Sequence, residues 1–425
     1  MLSLRNPNTN HPNQLVARMK ELNFHDHDPT VKLPCVRQGH TMIGRVVPSS
    51  VSPNMMLEIY ISSGRTNSQK TSSSRSSHQR NILNDLWKGQ FVLNHNDYNN
   101  NTNNHLNNPT LDFSKICWTE FTNLDSKERH NHTSVYFEKL NKIITFGGSN
   151  PEEYCDSLCF IDIRQQQQPT VENLNKQQLM QEWPSARHGH TTQAYRDKYM
   201  IVFGGKIGFG LDENLYKNDL WILDVENKTW KEIKPKNSPP KGRCWHASQM
   251  YKDRYLLVCG GFYTKGRELY LNDLWSFDME TLLWTCLIEN NDKKNINAMQ
   301  QRNRHGMFLW NDLLFVLGGN YFDGSRDHFL HDMYYVDLSR CEALIESKIV
   351  KVKSISWTSM TIVINDDDAS KEFLNEGRGH FTSITLPTST CEGNNSQVNF
   401  LLFGGESYKK RHNSFILLTI QRVQE

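Results

Sequence analysis

Arginine and histidine recur together along the chain, each group standing a few residues before an apolar run. The groups are Arg37 with His40, Arg129 with His130 and His132, Arg187 with His188 and His190, Arg243 with His246, Arg304 with His305, and Arg378 with His380. A guanidinium binds carboxylates and phosphates through paired hydrogen bonds, and an imidazole can hold a metal or move a proton. A side chain repeated in every unit usually serves each unit. The histidines therefore favour a structural role over a single metal site.

The six arginines allow two interpretations, which can hold in different units. Each can pair with an aspartate, such as Asp219 or Asp273, and fix the turn in which it lies. Alternatively, it can present its guanidinium to a binding partner. The residues alone do not decide between these roles.

Aromatic and basic residues form a second candidate set, in segments that follow recurrent pairs of glycines. The set comprises Phe209, Phe262, Tyr263, Arg267, Tyr321, Phe322, Arg326, Tyr408 and Arg411. Aromatic residues and arginine are enriched where protein interfaces concentrate their binding energy. A basic, aromatic surface favours an acidic or phosphorylated peptide. The alternative is that the aromatics cap strand ends and the basic residues are solvated.

Patterns typical of catalysis or metal binding do not stand out. The run from His25 to Asp28 has metal-ligand residue types, but such alternation is more typical of solvated polar surface. Cys155 and Cys159 have no second pair to complete a zinc site. The sequence shows neither a phosphate-binding loop nor a nucleophile elbow. It therefore predicts no catalytic residue, no metal and no cofactor.

A long repeat positions these residues. An apolar run ending in two glycines occurs five times, at Gly147-Gly148, Gly204-Gly205, Gly260-Gly261, Gly318-Gly319 and Gly404-Gly405. The steps between the pairs are roughly 57, 56, 58 and 86 residues, a period that indicates a repeat architecture. Asn-Asp-Leu-Trp follows at 218–221 and 272–275, and a further tryptophan comes later at Trp230 and Trp284.

These in-step landmarks resemble the kelch repeat, whose period is about 50 residues. Each unit holds four short β-branched or aromatic runs separated by turn residues. The resemblance implies a β-propeller with one four-stranded blade for each unit. We expect the glycines to end the second strand and the tryptophans to fill the space between sheets. In kelch proteins that capture peptides, the turn arginine lies near the binding mouth, which implies Arg187, Arg243, Arg304 and Arg378 as contact residues.

A sixth, degenerate unit comes first in the chain. It contains Arg37, His40, Ser63-Gly64 in place of Gly-Gly, Asn84-Asp85-Leu86-Trp87 and Trp118. We therefore predict an all-β, six-bladed propeller. Because the last unit ends without a fourth strand, we expect a strand near residues 21–27 to complete it and close the ring without an open edge. Residues 1–20 are expected to form a disordered tail and residues 21–425 the propeller.

Four low-complexity insertions are expected, near residues 65–81, 94–110, 164–180 and 340–376. Their polar composition buries too little apolar surface to order them. The first carries four basic residues and no acidic one, so phosphorylation would invert its charge. A passive loop is the alternative.

Composition narrows the classes of function. The 425 residues include 48 Lys and Arg against 46 Asp and Glu. This balance argues against a nucleic-acid or membrane-surface binder. Neither a secretory signal nor a membrane-length apolar run is visible. We therefore expect a cytoplasmic location, with the nucleus as a second one.

The sequence thus predicts a non-enzymatic, monomeric adaptor or scaffold that binds a partner protein or peptide on the loop face of the propeller. Cell polarity, signalling and ubiquitin-ligase substrate capture are settings that the resemblance allows, and the fold does not choose among them. Two alternatives stay open. An enzyme would need polar groups converging on a small-molecule site in the central channel. A phosphopeptide or chromatin reader would need an aromatic, basic pocket.

Overall fold

The computed structural model describes residues 14–22, 34–35, 37–48, 55–66, 82–93, 117–121, 128–164, 168–176, 181–290, 298–339, 341, 355–364, 368–386 and 397–423. These residues form six β-sheet blades around a central channel. The predicted all-β, six-bladed propeller is confirmed. Within the described ranges, no helix is long and apolar enough to cross a membrane.

The first strand of the chain is β1 (Gln14–Leu22). The first three blades then follow in chain order. Blade one contains β2 (Thr41–Pro48), β3 (Met55–Arg65), β4 (Ile82–Leu93) and β5 (Cys117–Phe121). Blade two contains β6 (Thr133–Phe137), β7 (Lys142–Phe146), β8 (Leu158–Asp162) and β9 (Thr170–Leu174). Blade three contains β10 (Thr191–Tyr195), β11 (Tyr199–Phe203), β12 (Leu220–Asp224) and β13 (Thr229–Ile233).

The remaining blades carry the insertions. Blade four contains β14 (Ala247–Tyr251), β15 (Tyr255–Thr264), β16 (Glu268–Asp278) and β17 (Leu283–Ile288). Blade five contains β18 (Gly306–Trp310), β19 (Leu313–Leu317), the hairpin β20 (Asn320–Phe322) and β21 (Asp327–Phe329), β22 (Met333–Asp337) and β23 (Thr358–Met360). Next come β24 (Ile362–Ile364) and α1 (Asp368–Glu376), and then β25 (Thr382–Thr385), β26 (Gln397–Phe403) and β27 (Phe415–Val423) of blade six.

Glycine pairs end the second strands because two successive residues there take left-handed backbone angles. In blade three, φ is 66° at Gly204 and 94° at Gly205. A Cβ on Gly205 would lie 2.8 Å from the Cβ of His190 and 2.9 Å from the carbonyl oxygen of His188. The Gly205 N–H donates to the carbonyl oxygen of Arg243 in the next blade at 2.8 Å. The pair therefore lets one strand end pack against the arginine turns of two blades.

Tryptophans fill the space between blades, as predicted. Trp230 of β13 packs against Phe146 of blade two, and Trp284 of β17 packs against Phe203 of blade three, each with ring centroids 5.1 Å apart. Trp183, which follows β9, lies 5.9 Å from Trp230. All five side chains are buried. Burial of this apolar area drives the blades to stack.

The strand that completes blade six is β1. It pairs with β27 in antiparallel register from Gln14↔Val423 to Leu22↔Phe415, and its other edge pairs in parallel with β24. The strand expected near residues 21–27 therefore begins earlier, at Gln14. Residues 23–27 lie outside the described residues.

An alternating pattern explains the position of β1. Ala17 and Met19 are buried, whereas Arg18 and Lys20 are exposed, as expected for a strand with one face on the core. The prediction of a disordered tail over residues 1–20 is therefore wrong for residues 14–20. Residues 1–13 lie outside the described part of the chain.

Two predicted insertions contain regular structure. β9 lies within residues 164–180 and pairs with β8 from Asp162↔Thr170 to Leu158↔Leu174. Residues 340–376 contain β23, β24 and α1. The strands form there because each covers a sheet edge that would otherwise be open. Apart from residues 65 and 66, the insertions expected near 65–81 and 94–110 lie outside the described residues and stay predictions.

Candidate functional site

The turns before the first strands and the loops after the second strands meet at one end of the propeller, here called the loop face. Backbone bridges join turn and loop in every blade, at Gln38–Arg65, His130–Ser149, His188–Lys206, Cys244–Phe262, Asn303–Asn320 and Gly379–Glu406. The candidate aromatic loops therefore lie beside the arginine turns, as the repeat predicts.

Most of the repeat arginines are buried structural residues. Arg187 is 0% exposed and forms a bidentate pair with Asp219, with Nη1–Oδ1 at 2.7 Å and Nη2–Oδ2 at 2.8 Å. Its Nη1 also donates to the carbonyl oxygen of Gly204 at 2.9 Å. Burial alone would raise the pKa of Asp219, but the hydrogen bonds and charge of Arg187 lower it below its ordinary value. The same bidentate pair recurs as Arg37–Asp85, Arg243–Asp273 and Arg302–Asp332.

This burial corrects the expectation that Arg187, Arg243 and Arg378 line an open mouth. Their guanidinium groups lie inside the blades. Arg378 donates to Ser414 Oγ at 3.0 Å and contacts His412 Nδ1 at 3.1 Å. The aspartate-pairing interpretation is the correct one for Arg187 and Arg243, and Arg378 is likewise buried, with Ser414 and His412 as contacts.

Arg304 is not the repeat arginine of blade five; Arg302 is. Arg302 is 0% exposed and pairs with Asp332, whereas the side chain of Arg304 is 19% exposed and points elsewhere. The repeat arginine always stands three residues before a buried ring, as in Arg243 and His246 or Arg302 and His305. The adjacency of Arg304 to His305 hid this fixed spacing in the sequence.

The repeat histidines join neighbouring blades. His190 Nε2 lies 2.8 Å from Thr133 Oγ1, at the start of the first strand of blade two. Burial, followed by the charge of Arg187, lowers the pKa of His190 well below its ordinary value, so the ring is neutral. In blade six this position holds Phe381, which packs against Gly318 as the histidines pack against their glycines. His380, which was expected to belong to the histidine series, stands one residue before this position.

The residue two positions after each repeat arginine belongs to what we call the mouth ring. Its members are Gly39, Asn131, Gly189, Trp245, Arg304 and His380, all with φ between 51° and 63°. From blade two to blade six, the backbone N–H of each member donates to the carbonyl oxygen of the member before it: the Trp245 N–H donates to Gly189 O at 2.7 Å, and the Arg304 N–H to Trp245 O at 2.8 Å. Because the first strands of neighbouring blades contact one another around the ring, these turns encircle the mouth of the channel.

Three bulky side chains occupy left-handed positions in blades four, five and six. This conformation costs an L-residue about 1–2 kcal/mol, and glycine at positions 39 and 189 avoids that cost. Strained residues of this kind cluster at functional sites. Trp245, Arg304 and His380 therefore mark one half of the mouth ring as a candidate binding site.

The three side chains converge with Glu406. The Arg304 guanidinium carbon lies 3.8 Å from the centroid of the Trp245 ring, a close cation–π contact. Arg304 Nη1 and His380 Nδ1 each lie 3.5 Å from the same oxygen, Oε1 of Glu406. Burial, followed by the charge of Arg304, lowers the pKa of His380 well below its ordinary value, so the imidazole is neutral.

Several polar atoms of this cluster are buried without a hydrogen-bond partner among the described residues. They are Trp245 Nε1, Arg304 Nε, and both ring nitrogens of His380. Atoms of this kind also occur in the repeat core, at Nδ1 of His190 and Nε1 of Trp230. No group of three or more His, Cys, Asp and Glu in the described ranges is arranged to hold a metal ion. The cluster therefore leaves the N–H donors of Trp245 and Arg304 unused among the described residues.

An aromatic band crosses the loop face through Trp245. The band consists of Phe209, Tyr154, His188, Trp245, Phe262, Tyr270 and Tyr321, with successive ring centroids 4.8, 4.6, 5.5, 5.1, 5.4 and 6.5 Å apart. It spans blades two to five. Phe209 is 68% exposed at one end, while Phe262 is buried beside Trp245. The band is thus exposed at Phe209 and partly exposed at most of its other members, while Phe262 links them from below the surface.

The predicted loop residues divide between this band and its rim. Phe209, Phe262 and Tyr321 belong to the band. The rim contains the partly exposed Tyr263 and Arg411 and the exposed Arg267, Phe322, Arg326 and Tyr408. Their contact with a partner stays a prediction.

Sequence reasoning missed Trp245 and Glu406 and misplaced Arg304. The sequence does contain a signal for Trp245. When the repeat arginines are aligned, Trp245 stands where blades one and three have glycine. Glu406 had no comparable signal, because the residue after each Gly-Gly differs in every blade. Its contact with Arg304 depends on the ring bringing blades five and six together.

Six blades and a closed ring define the protein as a β-propeller. The chain belongs to the kelch-repeat family: residues 86–319, more than half of its length, match the family model "KLHDC2/KLHL20/DRC7 Kelch-repeats domain". The predicted membership is confirmed.

Similar proteins share the repeat over part of their length. Kelch domain-containing protein 3 of Homo sapiens is 25% identical over 213 residues, which cover 48% of this chain and 50% of that protein. Tip elongation aberrant protein 1 of Schizosaccharomyces pombe is 29% identical over 243 residues, covering 54% and 19%. The chain therefore spans half or less of these relatives. A solved structure, "Structure of YjhT", has a TM-score of 0.57 at 15% identity and covers 92% of this chain and 98% of its own, a likeness of fold alone.

Proposed function

We propose that this propeller is a non-enzymatic adaptor or scaffold that binds an acidic segment of a partner protein at the mouth of its channel. The observation that carries the proposal is the placement of Trp245, Arg304 and His380 at strained positions in three neighbouring blades. Kelch-family membership supports a protein-interaction role in general. The acidic character of the segment rests on the chemistry of the site.

Arg304 is held in an orientation suited to recognition. Its guanidinium lies against the Trp245 ring at 3.8 Å, a stacking that leaves the N–H groups at the edge for a carboxylate. The side chain is only 19% exposed, so a charge that pairs with it is less screened than at an open surface. A bound acidic residue would therefore gain more at Arg304 than at a rim arginine.

The aromatic band indicates that the partner contributes an extended segment rather than a single group. It reaches from Phe209 to Tyr321, across four blades. Aromatic residues with arginine form the centres of protein interfaces. We therefore propose apolar residues on either side of the acidic one, with Arg267, Arg326 and Arg411 contacting further acids at the rim.

Affinity capture from the native cell extract tests the proposal. Wild type is compared with Trp245→Gly, with Arg304→Gln, and with the rim variant Arg267→Glu, Arg326→Glu, Arg411→Glu. The matched control is Arg196→Gln, in the turn between β10 and β11 at the opposite end of the propeller. A partner lost from the first two variants but kept by the control supports the mouth as the binding site. Equal capture by wild type, Trp245→Gly and Arg304→Gln would refute it.

A further inference from the structure

The contact between Arg304 and Glu406 differs from the structural arginine–aspartate pairs. In those pairs each of the two terminal guanidinium nitrogens binds one carboxylate oxygen, as in Arg243–Asp273 at 2.7 and 2.9 Å. Arg304 instead offers one nitrogen to one oxygen of Glu406 at 3.5 Å. Its Nε has no hydrogen-bond partner among the described residues. A guanidinium forms its strongest contacts through a planar bidentate fork, so the single contact between Arg304 and Glu406 is a weak one.

The backbone of Glu406 is held by the bridge between turn and loop in its blade. Its N–H donates to Gly379 O at 2.8 Å, and the Gly379 N–H donates to Glu406 O at 3.0 Å. This is the bridge that joins turn and loop in every blade. The residues at the equivalent position are Arg65, Ser149, Lys206, Phe262 and Asn320. Only blade six places a carboxylate there, and rotation about its side-chain bonds would move it without disturbing the blade.

We infer that Glu406 is an internal occupant of a carboxylate-binding site formed by Arg304 and His380 beside Trp245, and that an acidic side chain of the partner replaces it. This inference rests on the proposed function, because it names the group that the mouth recognises and the competitor already present. The partner's carboxylate would complete the fork that Glu406 leaves half used. Glu406 would then swing toward solvent from an unchanged backbone.

Charge favours a carboxylate over a phosphate at this position. One guanidinium pairs with one carboxylate, and the buried His380 ring is neutral. A phosphate brings about 1.5 to 2 negative charges, more than the single guanidinium of Arg304 can neutralise once Glu406 has left. The ligand class is therefore a glutamate or aspartate side chain within a protein segment.

An internal competitor lowers the apparent affinity of the site. A ligand can bind only while Glu406 is outside the site. Its apparent affinity is therefore the intrinsic affinity multiplied by the fraction of time for which the site is vacant. Removing the carboxylate should therefore tighten binding by about 5-fold or more, the lower end of typical coupling between linked groups. Arg304→Gln should abolish binding with or without Glu406.

The test is binding of fluorescein-labelled poly-L-glutamate, followed by fluorescence anisotropy at constant ionic strength. The variants are wild type, Glu406→Gln, Glu406→Ala, Arg304→Gln and the double variant Arg304→Gln, Glu406→Gln. Glu152→Gln, an exposed acid on the same loop face, is the control for the general loss of one negative charge. Thermal unfolding of each variant verifies folding.

Tightening in both Glu406 variants but not in Glu152→Gln, and loss of binding with Arg304→Gln in either background, is the expected result. If the Glu406 variants bind no tighter than Glu152→Gln while Arg304→Gln still weakens binding, the internal-occupant inference is overturned and the proposed function stands. If Arg304→Gln changes nothing, both fall. Competition by free glutarate and by inorganic phosphate separates the ligand classes, and stronger displacement by phosphate would overturn the assignment to a carboxylate.

Discussion

His40 Nε2 lies 2.9 Å from Thr382 Oγ1, although 342 residues separate them in the chain. The bond joins the first blade to the last. His246 and Thr191, of adjacent blades in mid-chain, make the same contact at 2.9 Å. At this contact, the junction between blades one and six therefore matches a junction in mid-chain.

Replacing Thr382 with valine should weaken this seam. Valine keeps the shape but leaves the buried Nε2 of His40 without its partner, a loss of about 1–3 kcal/mol in the free energy of unfolding. Urea denaturation measures the change. Thr385→Val, at an exposed position of the same strand, should change stability by no more than about 0.5 kcal/mol. An equal effect of the two substitutions would contradict the role of the bond.

His305→Phe should reduce sensitivity to acid. His305 is buried with neither ring nitrogen hydrogen-bonded among the described residues, and burial, followed by the charge of Arg302, lowers its pKa from 6.5 to about 3. Its stabilising contribution is complete above pH 6.5 and is lost as pH falls toward 3, because only the unfolded state then binds the proton. Phe381 shows that the position accepts a phenylalanine.

Chemical denaturation at pH 7 and pH 5 tests this prediction. The variant should gain on the order of 2 kcal/mol over wild type at pH 5, relative to their difference at pH 7. His331→Phe, at an exposed site, should leave the pH dependence unchanged. If His305→Phe follows the wild-type pH profile, the histidine is not held neutral in the folded state.

Substitution of Arg302 should destabilise the fold strongly, whereas substitution of Arg304 should change its stability little. Arg302→Gln removes a buried guanidinium from Asp332 and should lower the free energy of unfolding by about 3 kcal/mol. Arg304→Gly loses the contact with Trp245 but relieves a left-handed backbone position, so stability should change by less than about 1 kcal/mol. Calorimetry of the two variants gives the comparison. A large loss with Arg304→Gly would make Arg304 a structural residue and weaken the proposed binding site.

Glu58→Gln should destabilise the junction of blades one and two. Glu58 is 0% exposed; its carboxylate accepts from Arg45 Nε at 2.7 Å and contacts Lys88 Nζ at 2.6 Å. Burial would raise its pKa, but the hydrogen bonds of Lys88 and Arg45 lower it, so the ionised form is the one that stabilises. The substitution leaves two buried cations poorly compensated and should cost about 3–5 kcal/mol.

Urea denaturation again measures the loss, with Glu182→Gln, at an exposed position, as the control. Because the folded-state pKa of Glu58 is lowered, wild type should lose this contribution as pH falls below the ordinary glutamate range. Equal stability of Glu58→Gln and wild type would show that the cluster contributes nothing.

The glycine pairs and tryptophans were enough to predict the fold from sequence. Each constrains a local geometry that repeats, such as the left-handed turn at Gly204 and Gly205. β9 was missed because its residues, Thr170–Leu174, follow a glutamine-rich run. Only its pairing with β8 makes that segment a strand, and pairing depends on tertiary structure rather than composition.

The candidate site was predictable only in part. Phe262 and Tyr321 were recognised because aromatic residues after a glycine pair are visible in the sequence. The arginines were assigned wrongly, because the sequence does not distinguish an arginine that pairs with Asp219 inside a blade from one that stacks on Trp245 at the mouth. The two kinds of arginine differ in burial, and burial is known only once the blades are packed into the ring.

The pairing of β1 with β27 has a consequence for biosynthesis. β27, the partner of β1, is synthesised roughly 400 residues after it. At the usual elongation rate of about 5 to 20 residues per second, β1 waits roughly 20 to 80 seconds for β27. During that time the ring is incomplete and the edge of β1 that pairs with β27 has no partner, and an unpaired strand edge of this kind promotes pairing with other chains.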